Sequence, residues 1–151
     1  MIRGVREARD QDPFHQFALE NPAYSALRLD EQMIKFFGEG IVVQGCAYGG
    51  RLTGKGYRFW MSAETLEVFL ERQILPTDKA SRCKECKANR KHRQAACPQK
   101  GDDRERESIP GETKKATKNR IPRRLAALIG KCMIEGRRRM ESRAHGKRKR
   151  S

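Results

Sequence analysis

An α/β fold is predicted by three observations. Short apolar runs at 14–21 (FHQFALEN), 41–48 (IVVQGCAY) and 57–62 (YRFWMS) read as strands, the last aromatic-rich. Stretches with apolar residues at helical spacing alternate with them. The charge excess, +15 over 151 residues, is collected mainly outside those segments.

Taken in order, residues 1–13 (MIRGVREARDQDP) read as a disordered N-terminus. Pro13 precedes the first strand and Asn21-Pro22 ends it. From Ser25 to Phe37, Leu29, Met33, Phe36 and Phe37 fall at i, i+4, i+7 and i+8, one helical face stopped by Gly38 and Gly40. The turn-rich GGRLTGKG between the second and third strands predicts a hairpin with a longer loop. Ser62 is placed to cap a helix in which Leu66, Phe69 and Leu70 share a face. Residues 14–75 thus form one α/β unit. Periodicity disappears over 76–120, a Cys/His-containing insert or loop. It returns over 121–136, where Ile121, Leu125, Leu128, Ile129, Cys132 and Met133 make a stripe that Pro122 opens and Gly136 closes. A basic tail, 137–151, follows. Three strands and three helices are a thin core for an α/β domain, so the chain is expected to be part of one.

The charge sets the partner class. Residues 111–151 hold 15 Lys/Arg against 3 Glu. The runs Arg137, Arg138, Arg139 and Lys147, Arg148, Lys149, Arg150 have two readings: a solvated tail, or contact with the phosphates of DNA or another nucleic acid. The same runs suit a nuclear address in a eukaryote. No apolar run approaches the ~20 residues of a membrane span, and no apolar signal region opens the chain, so an intracellular protein without a membrane partner is expected. Five cysteines, an odd number, do not suggest a secreted disulfide framework.

Four soft or borderline ligands, Cys83, Cys86, His92 and Cys97, fall within 15 residues and open with C-x2-C. They can close a tetrahedron around zinc, with Lys84, Lys87, Arg90, Lys91 and Arg93 around them for phosphates; the other reading is a loop with incidental cysteines. Gly49-x4-Gly54-Lys55 begins like a phosphate-binding loop. Gly56 then stands where a Ser or Thr should hold magnesium, so a plain hairpin loop is the better reading. Cys46 and Cys132 lie within apolar patterns and read as small core residues. His15 and His145 have no partner in sequence. Glu20 and Asn21 either end a strand with a turn, or lie at the carboxyl edge of an open α/β sheet, where ligands bind.

The ordered series FALENPAYSAL, QGCAYGG, K-x-Y-R-F-W, the Cys/His segment and IPRRLAALI resembles the C-terminal half of a divergent branch of cytosine-5 DNA methyltransferase-like proteins of phages, large algal viruses and protists. It covers roughly residues 14 to 134. The resemblance implies a partial class I methyltransferase-like, Rossmann-type unit. It also implies that Glu20 and Asn21 form the cytosine-binding Glu-Asn wall, the glutamate sharing a proton with a ring nitrogen of a flipped-out base. Lys55 and Trp60 would match the lysine and aromatic of a Lys-Pro-Thr loop, with Gly56 and Tyr57 replacing its Pro and Thr, and Arg58 lies beside them as a further DNA contact. S-adenosylmethionine is the implied cofactor, but no glycine-rich loop precedes residue 14 and no proline is followed by cysteine. The expectation is therefore a fragment or split portion of such an enzyme, inactive alone, binding DNA or awaiting a complementary methyltransferase subunit. The alternative is a small non-enzymatic, zinc-stabilised nucleic-acid-binding protein.

Overall fold

Mixed helix and sheet is what the apolar patterning produces, although the sheet is not of the Rossmann type. The computed structural model describes residues 1–23, 25–48, 56–74 and 121–150, apart from the side chains at 46 and 148–150. Its elements are α1 (Ile2–Gln11), β1 (Ala18–Pro22), a 3₁₀ turn (Ala26–Leu29), α2 (Glu31–Phe37), β2 (Ile41–Gln44), a second 3₁₀ turn (Gly45–Tyr48), β3 (Gly56–Met61), α3 (Ala63–Arg72) and α4 (Arg123–Arg150). Two units divide the chain: Met1–Val42 with Arg58–Gln73 and Ala127–Ser151, and Val43–Tyr57 with Ile74–Ala126. In the second, Tyr48 is buried and its hydroxyl accepts from the Ile74 backbone N–H at 2.9 Å.

The strands form one antiparallel sheet in the order β1-β3-β2, and parallel pairing is absent among the described residues. This corrects the Rossmann-type expectation, and chain length gives the reason for one of the pairs. Parallel neighbours need a crossover of about a dozen or more residues, usually a helix. Only residues 45–55 separate β2 from β3, which matches the hairpin reading instead. As the central strand, β3 has Phe59, Trp60 and Met61 all buried, since both of its faces are covered. Pro22 is accommodated because β1 is an edge.

Several boundaries differ from the sequence reading. The N-terminal residues form α1, which buries Val5 and sets Arg6 over the Phe36 ring at 4.8 Å and Arg9 over the Phe17 ring at 5.0 Å. The helix expected over 25–37 breaks at Asp30, whose side chain accepts from Met33 N–H at 2.8 Å and starts α2 anew. Leu29 is left exposed and Met33 buried. Gly38 and Gly40 both take positive φ (75° and 70°), and a Cβ on Gly40 would lie 2.7 Å from the Phe59 carbonyl oxygen. On α3 the buried face is Thr65, Val68 and Phe69 rather than Leu66, Phe69 and Leu70.

The largest difference is at Gly136. It does not end the last helix, which runs on to Arg150. Gly136 is instead buried on the seam where α4 crosses the start of α3: a Cβ there would meet Thr65 N at 2.9 Å. Ile129, Cys132 and Gly136 line that seam at i, i+3 and i+7. Beneath it lies a small polar knot. Gln16 Oε1 accepts from Ser62 Oγ at 2.7 Å and from Thr65 Oγ1 at 2.8 Å, while Phe17 N–H donates to Ser62 Oγ at 3.3 Å. Ser62 keeps its expected position before α3, but its hydroxyl serves this knot rather than capping the helix. All three side chains are buried, and the mutual hydrogen bonds offset their desolvation.

Candidate nucleic-acid interface

The basic helix α4 carries eleven Lys/Arg against Glu135 and Glu141. Neighbouring residues on a helix point about 100° apart, so a run such as Arg137-Arg138-Arg139 cannot act as one cluster. Its members separate onto different faces.

Arg137 ion-pairs through Nη1 with Asp12 Oδ2, just beyond α1, and through Nε with Glu141 at 2.8 Å. Arg139 makes a two-pronged pair with Glu71 of α3, Nη1 to Oε1 at 2.8 Å and Nη2 to Oε2 at 2.7 Å. One turn on, Arg143 Nη2 donates to Glu67 Oε2 at 3.0 Å. Glu67 and Glu71 on α3 therefore face Arg143 and Arg139 on α4 as matched i, i+4 ladders. Hydrogen bonding from Arg137 holds the Asp12 carboxyl below its usual range, and Arg139 does the same to Glu71. Reciprocally, Asp12 raises the pKa of Arg137, and Glu71 raises that of Arg139.

Arg138 points the other way. It is 71% exposed, and its contact with Glu135 at 3.1 Å is a solvent-screened surface pair. Lys131 and His145, seven residues to either side, are exposed on that outer face, where Lys131 has no ion pair among the described residues. Arg138, Glu141, Ser142, His145 and Gly146 line an open depression there.

The other expected site residues are distributed as follows. Lys147 is exposed on α4. The side chains of Arg148, Lys149 and Arg150 lie outside the described residues, as do Lys55 and the zinc candidates Cys83, Cys86, His92 and Cys97. Among the described residues no group of three or more His, Cys, Asp or Glu is placed to hold a metal.

Arg58 is engaged in the fold. Its Nη1 donates to the Glu39 carbonyl at 2.6 Å and its Nε to the Ala23 carbonyl at 3.2 Å. Trp60, on the same face of β3, donates from Nε1 to the Gly38 carbonyl at 3.0 Å. The two together pin the 38–40 turn. Glu20 and Asn21 lie within β1, half-buried, on an antiparallel edge strand. The sequence reading expects them at the carboxyl edge of a strand in an open α/β sheet; the sheet that carries them is antiparallel. Cys132 is buried as expected, and burial pushes its thiol pKa up, the opposite of what a nucleophile needs.

Sequence reasoning missed Asp12, Glu67, Glu71 and Arg143. One signal could have found three of them: E-x3-E at 67–71 and R-x3-R at 139–143 are complementary i, i+4 ladders, once the last helix is continued past Gly136 into the basic tail.

No helix among the described residues is long and apolar enough to cross a membrane. No family model, curated protein or solved structure matches this chain.

Proposed function

We propose that this chain is a small, non-enzymatic nucleic-acid-binding protein. It holds a long basic helix against an α/β base and contacts the phosphate backbone through that helix. One observation carries the reading. After Asp12, Glu67 and Glu71 have engaged Arg137, Arg143 and Arg139, α4 still presents Lys131 and Arg138 on its exposed face. Cations left over after the fold has used its share are what a polyanion requires. A zinc ion on Cys83, Cys86, His92 and Cys97 belongs to the same proposal, on their spacing alone. The methyltransferase-fragment reading rests on the order of motifs over 14–134. That reading implies a Rossmann-type unit, which the antiparallel sheet does not support, whereas the exposed cations of α4 support the binding-protein reading.

The test uses the position of the ion pairs. A truncation at 137 would remove Arg137, Arg139 and Arg143 and damage the fold. Removing only residues 147–151 leaves every ion pair described above in place. Binding of a fluorescein-labelled 20-base-pair duplex is followed by anisotropy from 50 to 300 mM NaCl. Each lost phosphate contact flattens the log K against log salt slope by about 0.9, so loss of the four terminal cations should flatten it by up to about 3.6. Unchanged affinity and slope would make the terminal run a solvated extension.

A further inference from the structure

Arg138, Ser142 and His145 stand at i, i+4 and i+7 on one face of α4, around the open depression on its outer side. We infer that this depression seats a backbone phosphate of a bound nucleic acid, and that Lys131, one heptad towards the N-terminus, meets a second. The inner arginines Arg137, Arg139 and Arg143 take no part. The inference rests on the nucleic-acid-binding reading and assigns it a face and a set of residues.

The chemistry of the rim is that of a phosphate site. Guanidinium supplies planar paired donors that match phosphate oxygens. A serine hydroxyl adds a third donor and an imidazole N–H a fourth, and both side-chain types are able to donate to phosphate oxygen. The carboxylate that also lines the depression, Glu141, accepts from Arg137 Nε at 2.8 Å, so its charge is offset on the inner side. Arg138 is available as well. Its only ion pair among the described residues, with Glu135, is exposed and screened by solvent, so a phosphate can displace it at little cost.

Geometry selects a polymer over a lone anion. Lys131 and Arg138 are seven residues apart, about 10.5 Å along the axis at 1.5 Å per residue. A chain of phosphates can engage both; a single phosphate cannot. The same face carries one exposed apolar side chain, Ile134, at 66%. A surface-lying membrane helix needs a broad apolar face opposite its charges, and here that position is the buried seam. Nucleic acid is the partner the charge fits.

The inner arginines differ in kind. Arg139 is held by Glu71 through two hydrogen bonds and Arg143 by Glu67, so either must give up a contact with α3 to meet a phosphate. Their role is to hold the helix in place.

The experiment compares three full-length proteins: wild type, Lys131→Gln with Arg138→Gln, and Arg139→Gln. Each is titrated with a 20-base-pair duplex and a 20-nucleotide single strand across 50–300 mM NaCl, with thermal unfolding measured in parallel. The outer double variant should keep its melting temperature and lose about 1.8 from the slope, two contacts at about 0.9 each. Arg139→Gln should melt at a lower temperature and keep the slope at temperatures where it is folded. An outer variant with wild-type slope, or a folded Arg139→Gln that loses slope, overturns the assignment of faces while leaving nucleic-acid binding intact. If wild type binds neither nucleic acid at 50 mM NaCl, or binds only vesicles containing phosphatidylserine, the binding reading and this inference fall together. Which nucleic acid binds more tightly tells duplex from single strand. Ser142→Ala, which removes one neutral donor, should lower affinity several-fold with no change in slope; an unchanged affinity would remove Ser142 from the seat.

Discussion

Gly130 and Gly136 lie six residues apart on α4, and an added methyl group meets opposite surroundings at each. At Gly130 no described residue outside the helix's own turns comes within 4 Å of the new Cβ; at Gly136 the Thr65 nitrogen lies at 2.9 Å and the Glu64 carbonyl carbon at 3.0 Å. Both of those are backbone atoms and cannot rotate away. Gly130→Ala should stabilise the protein by about 0.4–1 kcal/mol, because alanine narrows the unfolded ensemble and favours helix. Gly136→Ala gains the same helix preference but must push α4 off α3, so overpacking of about 1–3 kcal/mol should prevail. Urea midpoints of the two variants should move in opposite directions from wild type. Equal shifts would mean that α4 does not pack on α3 through Gly136. The same residue explains why the end of the helix is misread in sequence. A glycine after an apolar stripe is a stop signal when it takes positive φ, but a contact point when another backbone passes within 3 Å, and sequence alone does not distinguish them.

Between elements, the α3–α4 seam combines the polar knot of Gln16, Ser62 and Thr65 with charged pairs on its flank. The pairs give stability a pH dependence whose sign follows from the carboxylates. Asp12 and Glu71 are both held below their ordinary values by arginine, so folding favours their charged forms. Their contribution is complete above the unfolded carboxylate values of about 3.9 and 4.3, and is lost as pH falls through the lower folded values. The urea midpoint should therefore hold level on this account from pH 7 to 5 and decline from about pH 4 downward. In Asp12→Asn with Glu71→Gln the midpoint should start lower and its acid decline should be shallower. A decline as steep as in wild type would place the acid sensitivity elsewhere. Added salt should weaken the same contribution, because these pairs are solvent-exposed. This level of organisation is half-legible in sequence. The stripe at 121–134 and the aromatic-rich run at 57–62 are local signals, and a helix and a strand form there, although the helix continues to Arg150. Gln16 in the knot and Asp12 opposite Arg137 depend on chain segments meeting in space, which no local window contains.

For the whole molecule, a net charge of +15 is the basis on which a polyanion partner is proposed, and it does not say which cations would meet one. Of the residues assigned to DNA from sequence, Arg58, Arg137 and Arg139 prove to be tied into the fold, while Arg138 alone of the arginine triplet faces outward. Composition raises the expectation of a polyanion partner; packing decides which cations stay at the surface. The spacing of Cys83, Cys86, His92 and Cys97 is the other large-scale signal, and here sequence carries the whole argument. Three thiolates and an imidazole satisfy tetrahedral zinc, and the lysines and arginines around them favour the thiolate form that zinc binds. Protein purified without added metal should contain about one zinc per chain by elemental analysis. Cys83→Ser and His92→Ala should each lower that content. Zinc binding to thiols releases protons, so its affinity should fall as pH drops below neutrality and protons compete for the ligands. Wild-type protein that is metal-free, binds no added zinc and melts at the same temperature with and without chelator would leave those four residues as incidental. Nucleic-acid binding would then rest on α4 and the terminal run alone, and its salt slope should be the same with chelator as without.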